Sequence, residues 1–258
     1  MMDGLITTLV SIWTWAVLAT TLVIWLPIMT LMRVVLAPFD RGRYWTGLFF
    51  RQVAVVTATL NPYWRFRTAG NRVPDPRRPY VVVSNHESFA DILLISHLPW
   101  EMKWLSKVEL MRIPVIGWDM YLAGDIPVER GTARSAVKAM QRCQEVLKAK
   151  VSVIIFPEGT RSATGEMLPF KDGAFRLAID AGVPILPLVV SGTGTALRKH
   201  DWRVGKVNAV VKVLDPIETT GLTHKDIKKL RERVRAVIDA ERGKASPKAI
   251  PVPTQPEN

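Results

Sequence analysis

Residues 80–95 (YVVVSNHESFADILLI) contain the strand, loop and helix from which the rest of this sequence is interpreted. The first four residues are an apolar run typical of a buried strand, and residues 92–95 (ILLI) are an apolar run that begins a helix. Ligands of α/β proteins bind in the crevice beyond the carboxyl ends of the strands. We therefore predict that the polar loop between the two runs, residues 85–91 (NHESFAD), belongs to a functional site.

His86 and Asp91 are the candidate catalytic pair of this loop. In one continuous helix their spacing would be about 500° of rotation, so the two side chains meet only if the chain turns between them. Ser88 at the N-cap and Asp91 at N3 form a predicted capping box that supplies the turn. A carboxylate on one imidazole nitrogen fixes the tautomer and leaves the other nitrogen as a base. The alternative is that Asp91 only caps the helix and His86 is an ordinary loop histidine.

A second polar stretch, residues 156–162 (FPEGTRS), again follows a buried strand-like run. Together with residues 85–91 it resembles the 1-acyl-sn-glycerol-3-phosphate acyltransferases, also called lysophosphatidic acid acyltransferases. Residues 124–130 (GDIPVER) and 183–188 (VPILPL) resemble two further blocks of that family in the same order, so the resemblance covers roughly residues 62–215. The chain departs from the family at Pro127, where a bulky apolar residue is commoner, and at Glu129, where Asp is frequent.

The resemblance implies a membrane-bound O-acyltransferase of phospholipid synthesis. It would move a fatty acyl group from a thioester of coenzyme A or acyl carrier protein to the sn-2 hydroxyl of lysophosphatidic acid, giving phosphatidic acid. His86 would act as the base and Asp91 would hold its ring. No activated Ser or Cys nucleophile is evident, which favours direct attack by the alcohol over an acyl-enzyme.

The acceptor phosphate needs fixed positive charge, and Arg161 is the main candidate because its guanidinium forks onto two phosphate oxygens. The resemblance implicates Arg161 and Glu158 in acceptor binding, and we expect Glu158 to orient Arg161 or to hold a glycerol hydroxyl. Lys107 is either a second phosphate ligand or a solvated helix residue, and Arg130 either closes the same pocket or forms a structural ion pair. Backbone N–H groups at the oxyanion are expected from Gly159 and its neighbours, including Thr160.

Composition supports a membrane protein with anionic substrates. The 258 residues have a formal net charge of +12, which suits nucleic acid, anionic lipid or a phosphorylated substrate. Nine Trp residues and an apolar N-terminus favour membrane over nucleic acid. The single cysteine, Cys143, excludes an internal disulfide and is predicted to be core. No Cys/His cluster suggests zinc and no Gly-rich loop suggests a nucleotide site, so we expect no metal or other cofactor beyond the acyl thioester co-substrate.

Residues 1–61 are predicted to form a two-helix membrane anchor. Residues 4–32 contain no charged side chain and are long enough to span a bilayer, although Pro27 should kink or break the helix. Residues 44–60 carry Arg51 mid-segment and aromatic residues Tyr44 and Trp45 at the start, which favours an interfacial helix. If the first helix spans the cell membrane, the arginines that follow it put its C-terminal end on the cytoplasmic side. We therefore expect the active site to face the cytoplasm. The alternative is a buried pair of soluble helices.

Residues 62–244 are predicted to be one α/β domain around a single sheet, because strand-like and helix-like segments alternate. The resemblance implies that this is an acyltransferase domain with a mixed sheet flanked by helices, as in glycerolphosphate acyltransferases. The Pro-rich residues 245–258 are predicted to be a disordered tail. The predicted strands are 80–83, 126–128, 151–156, 185–190 and 209–214, and the predicted helices are 89–98, 134–148, 171–181 and 224–242.

Three other functions fit parts of the sequence. The same chemistry would serve another lysophospholipid or an amine-containing lipid, a hydrolase would use the same pair of residues, and a non-catalytic basic membrane adaptor would explain the charge and the anchor. The adaptor leaves His86, Asp91 and Arg161 without a role.

Overall fold

The computed structural model describes residues 2–71, 73, 75, 77–129, 131–162, 165–198 and 200–244. Two sequence predictions fall outside these residues: the role of Arg130 and the disorder of residues 245–258. The described part folds as helices around one sheet of seven strands.

The elements have the following bounds. The strands are β1 Trp64–Gly70, β2 Val81–Ser84, β3 Met102–Lys107, β4 Ile126–Val128, β5 Ser152–Ile155, β6 Ile185–Ser191 and β7 Val207–Val213. The helices are α1 Met2–Val35, α2 Tyr44–Thr59, α3 Ala90–Ile95, α4 Val108–Met111, α5 Ile116–Ala123, α6 Ala133–Lys148, α7 Gly173–Ala181 and α8 Ile227–Arg242, with a short 3₁₀ turn, His224–Asp226, directly before α8.

The sheet is mixed, as predicted. Its strand order is β1-β7-β6-β2-β5-β3-β4, and every neighbouring pair is parallel except β6 and β7, which are antiparallel. The central strand β2 therefore has a parallel neighbour on each side, β5 and β6. The carboxyl ends of these three strands meet at one edge of the sheet, where α/β proteins place their binding sites.

Two apolar layers cover the sheet. Val81 and Val83 of β2 face a core that contains Cys143 and the inner faces of α6, α7 and α8. Tyr80 and Val82 point the other way, into a second core with the apolar side chains of α3. A strand buried on both faces is a continuous apolar run in sequence, which is why β2 and β5 were predictable. Cys143 is fully buried, so its prediction as core is confirmed.

The sequence predicted that Pro27 would kink or break helix α1. The helix runs unbroken through Pro27, so the break is wrong and the kink stays a prediction. Proline removes one backbone hydrogen bond, but Met29 lies within the next turn and is fully buried in a cluster with α2 and α5, which holds the helix in place. Among the described residues one helix, Asp3–Val35, is long and apolar enough to cross a membrane.

Helix α2 is packed more deeply than an interfacial helix needs to be. Half of its residues are buried, and it contacts α1, α3, α5 and strand β1. Of the two aromatic residues at its start, Trp45 is exposed whereas Tyr44 is buried. Arg51, whose charge in mid-segment favoured an interfacial helix, is buried in an ion cluster. The membrane role of α2 therefore stays a prediction.

Candidate active site

The candidate site lies at the sheet edge where β2, β5 and β6 end. Residues 85–89 follow β2, residues 156–162 follow β5, and residues 192–196 follow β6. Because β2 is hydrogen-bonded to both other strands in parallel, their following loops lie side by side. The two polar stretches singled out in the sequence are thus brought together by the sheet.

His86 and Asp91 form the predicted pair. The distance from His86 Nδ1 to Asp91 Oδ2 is 2.8 Å, and the Asp91 side chain is fully buried. A carboxylate at Nδ1 favours the tautomer in which Nδ1 carries the hydrogen, so Nε2 keeps its lone pair and can accept a proton. This geometry is that of a general base and its orienting carboxylate.

Asp91 is held by several donors besides His86. The backbone N–H groups of Glu87 and Ser88 donate to Oδ2 at 2.7 and 3.0 Å, and the Thr193 hydroxyl makes a short hydrogen bond to Oδ1. Hydrogen bonds to the charged form stabilise a carboxylate against burial. The two Asp91 oxygens are therefore fixed in direction as well as satisfied.

The predicted capping box is only half right. Asp91 does accept the Ser88 N–H, but helix α3 begins at Ala90, and no side chain caps it in the way predicted for Ser88. The Ser88 hydroxyl instead accepts the Ala90 N–H at 3.3 Å and donates to the Leu197 carbonyl at 3.1 Å. The turn that brings His86 to Asp91 is thus built mainly by the Asp91 carboxylate.

The second stretch holds His86 from the other side. The Glu158 carboxylate accepts the His86 backbone N–H at 2.8 Å, and the His86 carbonyl accepts the Ser162 N–H at 2.9 Å. The ring of Phe156 stacks on the imidazole with centroids 3.9 Å apart and planes 11° from parallel. Backbone and ring of His86 are therefore both fixed before substrate arrives.

Glu158 is buried, and each of its carboxylate oxygens accepts a backbone N–H, one from His86 and one from Leu168 at 2.8 Å. Burial raises the pKa of this carboxyl, and the two N–H donors oppose the rise. The Glu158 carboxylate thus joins the second polar stretch to the backbone of His86 in the first. The expected role of orienting Arg161 or holding a glycerol hydroxyl stays a prediction.

Gly159 sits in a tight turn with φ of 72°, and its N–H donates to the Phe156 carbonyl at 3.0 Å. That N–H is engaged in the turn, which weighs against its use at an oxyanion. A Cβ at this position would lie 2.8 Å from Lys171 Nζ, so the Lys171 side chain lies directly over the glycine. Lys171 is a cation at the site that the sequence did not single out. Thr160 is exposed on the same turn.

The other predicted phosphate ligands, Arg161 and Lys107, come from different strands: Arg161 follows β5 and Lys107 ends β3. Arg161 is partly exposed and lines a cavity described below. Lys107 is not on a helix: it ends strand β3, is half-exposed, and lies 3.1 Å from the Glu109 carboxylate. Because β3 is parallel to β5, Lys107 is at the same sheet edge as the site.

Two further polar residues, Thr193 and Glu87, belong to the site although the sequence analysis gave them no role. Thr193, fully buried, hydrogen-bonds Asp91, and Glu87 lies within 3.4 Å of the Thr193 hydroxyl. Burial, followed by the Asp91 charge, raises the pKa of Glu87 to about 7. The signal for Thr193 was its position just after a buried strand, since all loops at this edge converge once β6 is paired with β2.

An apolar cavity of about 630 Å³ opens beside the site. Its walls come from α1, α2, α3, the chain between α4 and α5, and residues near Leu197, and they are mostly aliphatic. Three arginines, Arg51, Arg161 and Arg198, are among its lining residues. Within the described residues no group of three or more His, Cys, Asp or Glu side chains is placed to hold a metal ion.

Residues 65–191 match the family model described as Acyltransferase. The chain is 36% identical over 193 residues to a 1-acyl-sn-glycerol-3-phosphate acyltransferase of Chlamydomonas reinhardtii, covering 73% of this chain and 58% of the relative. It is 42% identical over 162 residues to the human 1-acyl-sn-glycerol-3-phosphate acyltransferase alpha, covering 62% of this chain and 57% of the relative. The chain thus spans less than two thirds of the length of these relatives.

A crystal structure of the 1-acyl-sn-glycerophosphate (LPA) acyltransferase PlsC from Thermotoga maritima has the same fold. Its TM-score is 0.81, with 24% sequence identity, and the match covers 96% of this chain and 99% of that one. The mixed α/β fold predicted from the sequence is confirmed. Residues 65–191 therefore form a domain of the acyltransferase family, and the resemblance of the chain to 1-acyl-sn-glycerol-3-phosphate acyltransferases carried by its four sequence blocks is confirmed.

Proposed function

We propose that the protein transfers a fatty acyl group from an acyl thioester to the sn-2 hydroxyl of lysophosphatidic acid, forming phosphatidic acid. The observation that carries the proposal is the 2.8 Å contact between His86 Nδ1 and the buried Asp91 carboxylate at the sheet edge. The relatives' names, which describe acylation of 1-acyl-sn-glycerol-3-phosphate, support the same acceptor.

In the proposed reaction His86 Nε2 takes the proton of the acceptor hydroxyl as the hydroxyl oxygen attacks the thioester carbon. The Asp91 carboxylate stabilises the imidazolium that forms. The tetrahedral intermediate then expels the thiolate by breaking its carbon–sulfur bond, and the imidazolium returns the proton to sulfur. The chain needs no covalent intermediate of its own in this sequence, and all atoms balance as ester plus thiol.

The cavity of about 630 Å³ supports a place for a fatty chain, because its walls are apolar and its lining includes Phe89 and Arg161 from the two polar stretches. Arg161 and Arg198 line the same cavity and supply the positive charge that an acceptor phosphate or an anionic thioester carrier requires. We infer that the donor is an acyl thioester of coenzyme A or acyl carrier protein, both of which are anionic. Lys107, Thr160 and Arg130 remain proposed contacts of the same substrates.

We infer a location at the cell membrane with the active site on the cytoplasmic face. Helix α1 supports membrane association by its length and apolarity. Arg33 in the last turn of α1, with Arg41 and Arg43 beyond it, supports the cytoplasmic placement of that end.

The test is a product assay on purified protein in detergent with acyl thioester and lysophosphatidic acid, read by mass spectrometry. Replacing His86 by Ala should lower the turnover at least about 100-fold, because loss of a general base commonly costs that much. The matched control is His224→Ala, since His224 is an exposed histidine that contacts the Asp180 carboxylate of α7 and no residue of the two polar stretches. Full activity of the His86 variant, or equal losses in both variants, would refute the proposed base.

Two other outcomes would redirect the proposal. Free fatty acid as the main product would indicate a hydrolase, and binding to anionic vesicles without thioester consumption would indicate a membrane adaptor. Competition between lysophosphatidic acid and lysophosphatidylglycerol identifies the acceptor. Preference for the phosphate monoester is the result expected of a site with free arginine charge at its rim.

A further inference from the structure

The segment between strands β3 and β4 has an apolar outer face that the proposed chemistry does not use. This α4–α5 segment, residues 108–123, exposes Ile113, Trp118 and Tyr121, with 49%, 56% and 67% of their surfaces accessible. Trp118 and Tyr121 are three residues apart and so lie on the same face of α5. Apolar residues of this size scattered singly are normal on a soluble surface, but three within nine residues form a patch.

The inner face of α5 joins the segment to the N-terminal helices. Met120 and Ala123 are buried in one cluster with Leu22 and Met29 of α1 and with Phe50 of α2. Helix α5 therefore packs on α1 and α2 with one side and turns Trp118 and Tyr121 outward with the other. The outer face thus belongs to an element packed directly on α1, the helix that is long and apolar enough to cross a membrane.

The chemistry of the patch favours a lipid interface. Trp and Tyr combine a large apolar ring with a polar group and are enriched where hydrocarbon meets lipid headgroups. The Arg43 guanidinium lies 5.3 Å from the centroid of the Tyr121 ring, and Arg112 is exposed beside Ile113. An apolar patch edged by cations complements an anionic bilayer surface better than a second apolar protein face.

The same segment forms a wall of the apolar cavity. Leu110 and residues 113–116 line it, so Ile113 contributes to both the cavity wall and the outer surface. The chain reverses here through a γ-turn in which Val115 has φ of 67° and ψ of −70° and the Ile116 N–H donates to the Pro114 carbonyl at 2.9 Å. A β-branched residue rarely adopts positive φ, so the packing on both sides must hold the turn.

We propose that the outer face of the α4–α5 segment, formed by Ile113, Trp118 and Tyr121, is a second bilayer-contact surface that rests in the lipid interface beside α1. The proposal rests on the membrane location inferred above and not on the reaction catalysed. It places the wall of the cavity directly against lipid, so a lysolipid would reach the cavity from the bilayer and not from water.

Site-directed labelling tests this contact without an activity assay. The single native cysteine is buried, so a Cys143→Ala background allows one nitroxide label at a time. Labels are placed at Trp118→Cys and Tyr121→Cys on the patch, at Ile24→Cys on the exposed side of α1, and at Lys228→Cys on exposed α8. The protein is bound to vesicles of phosphatidylcholine and phosphatidylglycerol, and collision with oxygen is compared with collision with a water-soluble nickel chelate.

We expect the labels at 118 and 121 to favour oxygen over the chelate, as the label at 24 does, while the label at 228 favours the chelate. Chelate-accessible labels at 118 and 121 beside a lipid-embedded label at 24 would overturn the proposal. Labels at 118 and 121 shielded from both reagents would overturn it in favour of a protein partner, and an aqueous label at 24 would remove the membrane location itself. Acyl transfer measured on the unlabelled protein keeps failure of the reaction distinguishable from failure of the contact.

Discussion

Among single residues, Thr193 holds the Asp91 carboxylate of the proposed catalytic pair, His86 and Asp91. Its hydroxyl donates to the Asp91 oxygen that His86 does not use, inside a fully buried site. Thr193→Val keeps the shape but leaves that oxygen without its donor, at a cost of about 1.5–3 kcal/mol for a hydrogen bond to a charged group. We expect kcat to fall about 10- to 100-fold with little change in KM, because Asp91 then orients the imidazole less firmly.

Thr193→Ser is the matched control, since it restores the hydroxyl and removes only a methyl group. We expect its kcat to stay within a few-fold of the parent protein in the same thioester assay. The role in positioning would be disproved by Ser and Val variants of equal activity, because a loss caused by packing alone does not depend on the hydroxyl.

Glu87 makes a prediction about stability and pH. Its pKa is raised to about 7, first by burial and then by the neighbouring Asp91 charge, against an ordinary value of 4.5. Arg242 and the Thr193 hydroxyl oppose the rise. A carboxyl with a raised pKa stabilises the folded chain below its ordinary value, and this contribution is lost as the pH rises towards 7.

The comparison is with Glu87→Gln, which keeps the shape and cannot ionise. The midpoint temperature of the variant, minus that of the parent protein, should increase between pH 5 and pH 7 and level off above it. The corresponding free energy is at most about 3.5 kcal/mol, since one pKa unit is about 1.4 kcal/mol. A difference that is constant over this pH range would show that Glu87 ionises normally.

At the scale of elements, a buried ion cluster fastens α2 to the sheet. Arg51 of α2 contacts Glu101 at 3.3 Å and Asp125 at 2.5 Å, and Lys103 of β3 contacts Glu101 at 2.8 Å. All four side chains are buried, and their charges sum to zero. Arg51→Met should lower the free energy of unfolding by about 3–5 kcal/mol, because it leaves two carboxylates with one buried cation.

The control is Arg78→Met, because Arg78 also pairs with a carboxylate, Glu218 at 2.7 Å, but both side chains are about half exposed. We expect this variant to lose less than about 1 kcal/mol in the same denaturant titration, since solvent screens an exposed pair. Equal losses in the two variants would mean that the buried cluster does not fasten α2.

The ion cluster also explains which elements the sequence predicted and which it did not. Apolar runs and amphipathic periods predicted β2, β4, β5 and α6 within one or two residues. Strand β3 was missed because the buried cation Lys103 interrupts its apolar pattern. Edge strand β1 was also missed: residues 64–67 alternate apolar and charged side chains as a half-buried strand does, but the alternation ends at Thr68, so the signal is short. Periodicity records burial, and it fails where a buried charge is satisfied by distant partners.

The candidate site divides in the same way. His86 and Asp91 were predictable because five residues and one turn place them together, and the order of the two polar stretches indicated that the sheet would join them. Thr193 contacts Asp91 across 102 residues of sequence. Lys171 contacts Gly159 because the loop between β5 and α7, which has no regular structure, folds back on itself. The Thr193 contact depends on the pairing of β6 with β2, and the Lys171 contact depends on the course of an irregular loop; no local pattern specifies either.

For the whole molecule, the apolar cavity is the feature that requires every part of the fold. Helices α1 and α2 supply one wall, while α3, the chain before α5 and the residues around Leu197 supply the others. No segment of the sequence indicates such a space, because the lining residues of α1 and those near Leu197 are separated by almost the whole catalytic domain. Because the N-terminal helices and the sheet domain share this cavity, the proposed site for the fatty chain would couple acyl-chain length to the packing of α2.

Filling the cavity from α2 tests that coupling. Ala54 lines it, and Ala54→Leu adds three carbons to its wall, so the longest acyl chain accepted should become shorter. Each methylene excluded from the cavity forfeits about 0.8 kcal/mol, or about fourfold in kcat/KM for the longer thioester. Ala136→Leu makes the same change on an exposed position of α6 and should leave the chain-length profile unaltered. Competition among acyl thioesters of increasing length, with products separated by mass spectrometry, measures both profiles, and an Ala54→Leu profile that matches the parent's would place the fatty chain elsewhere.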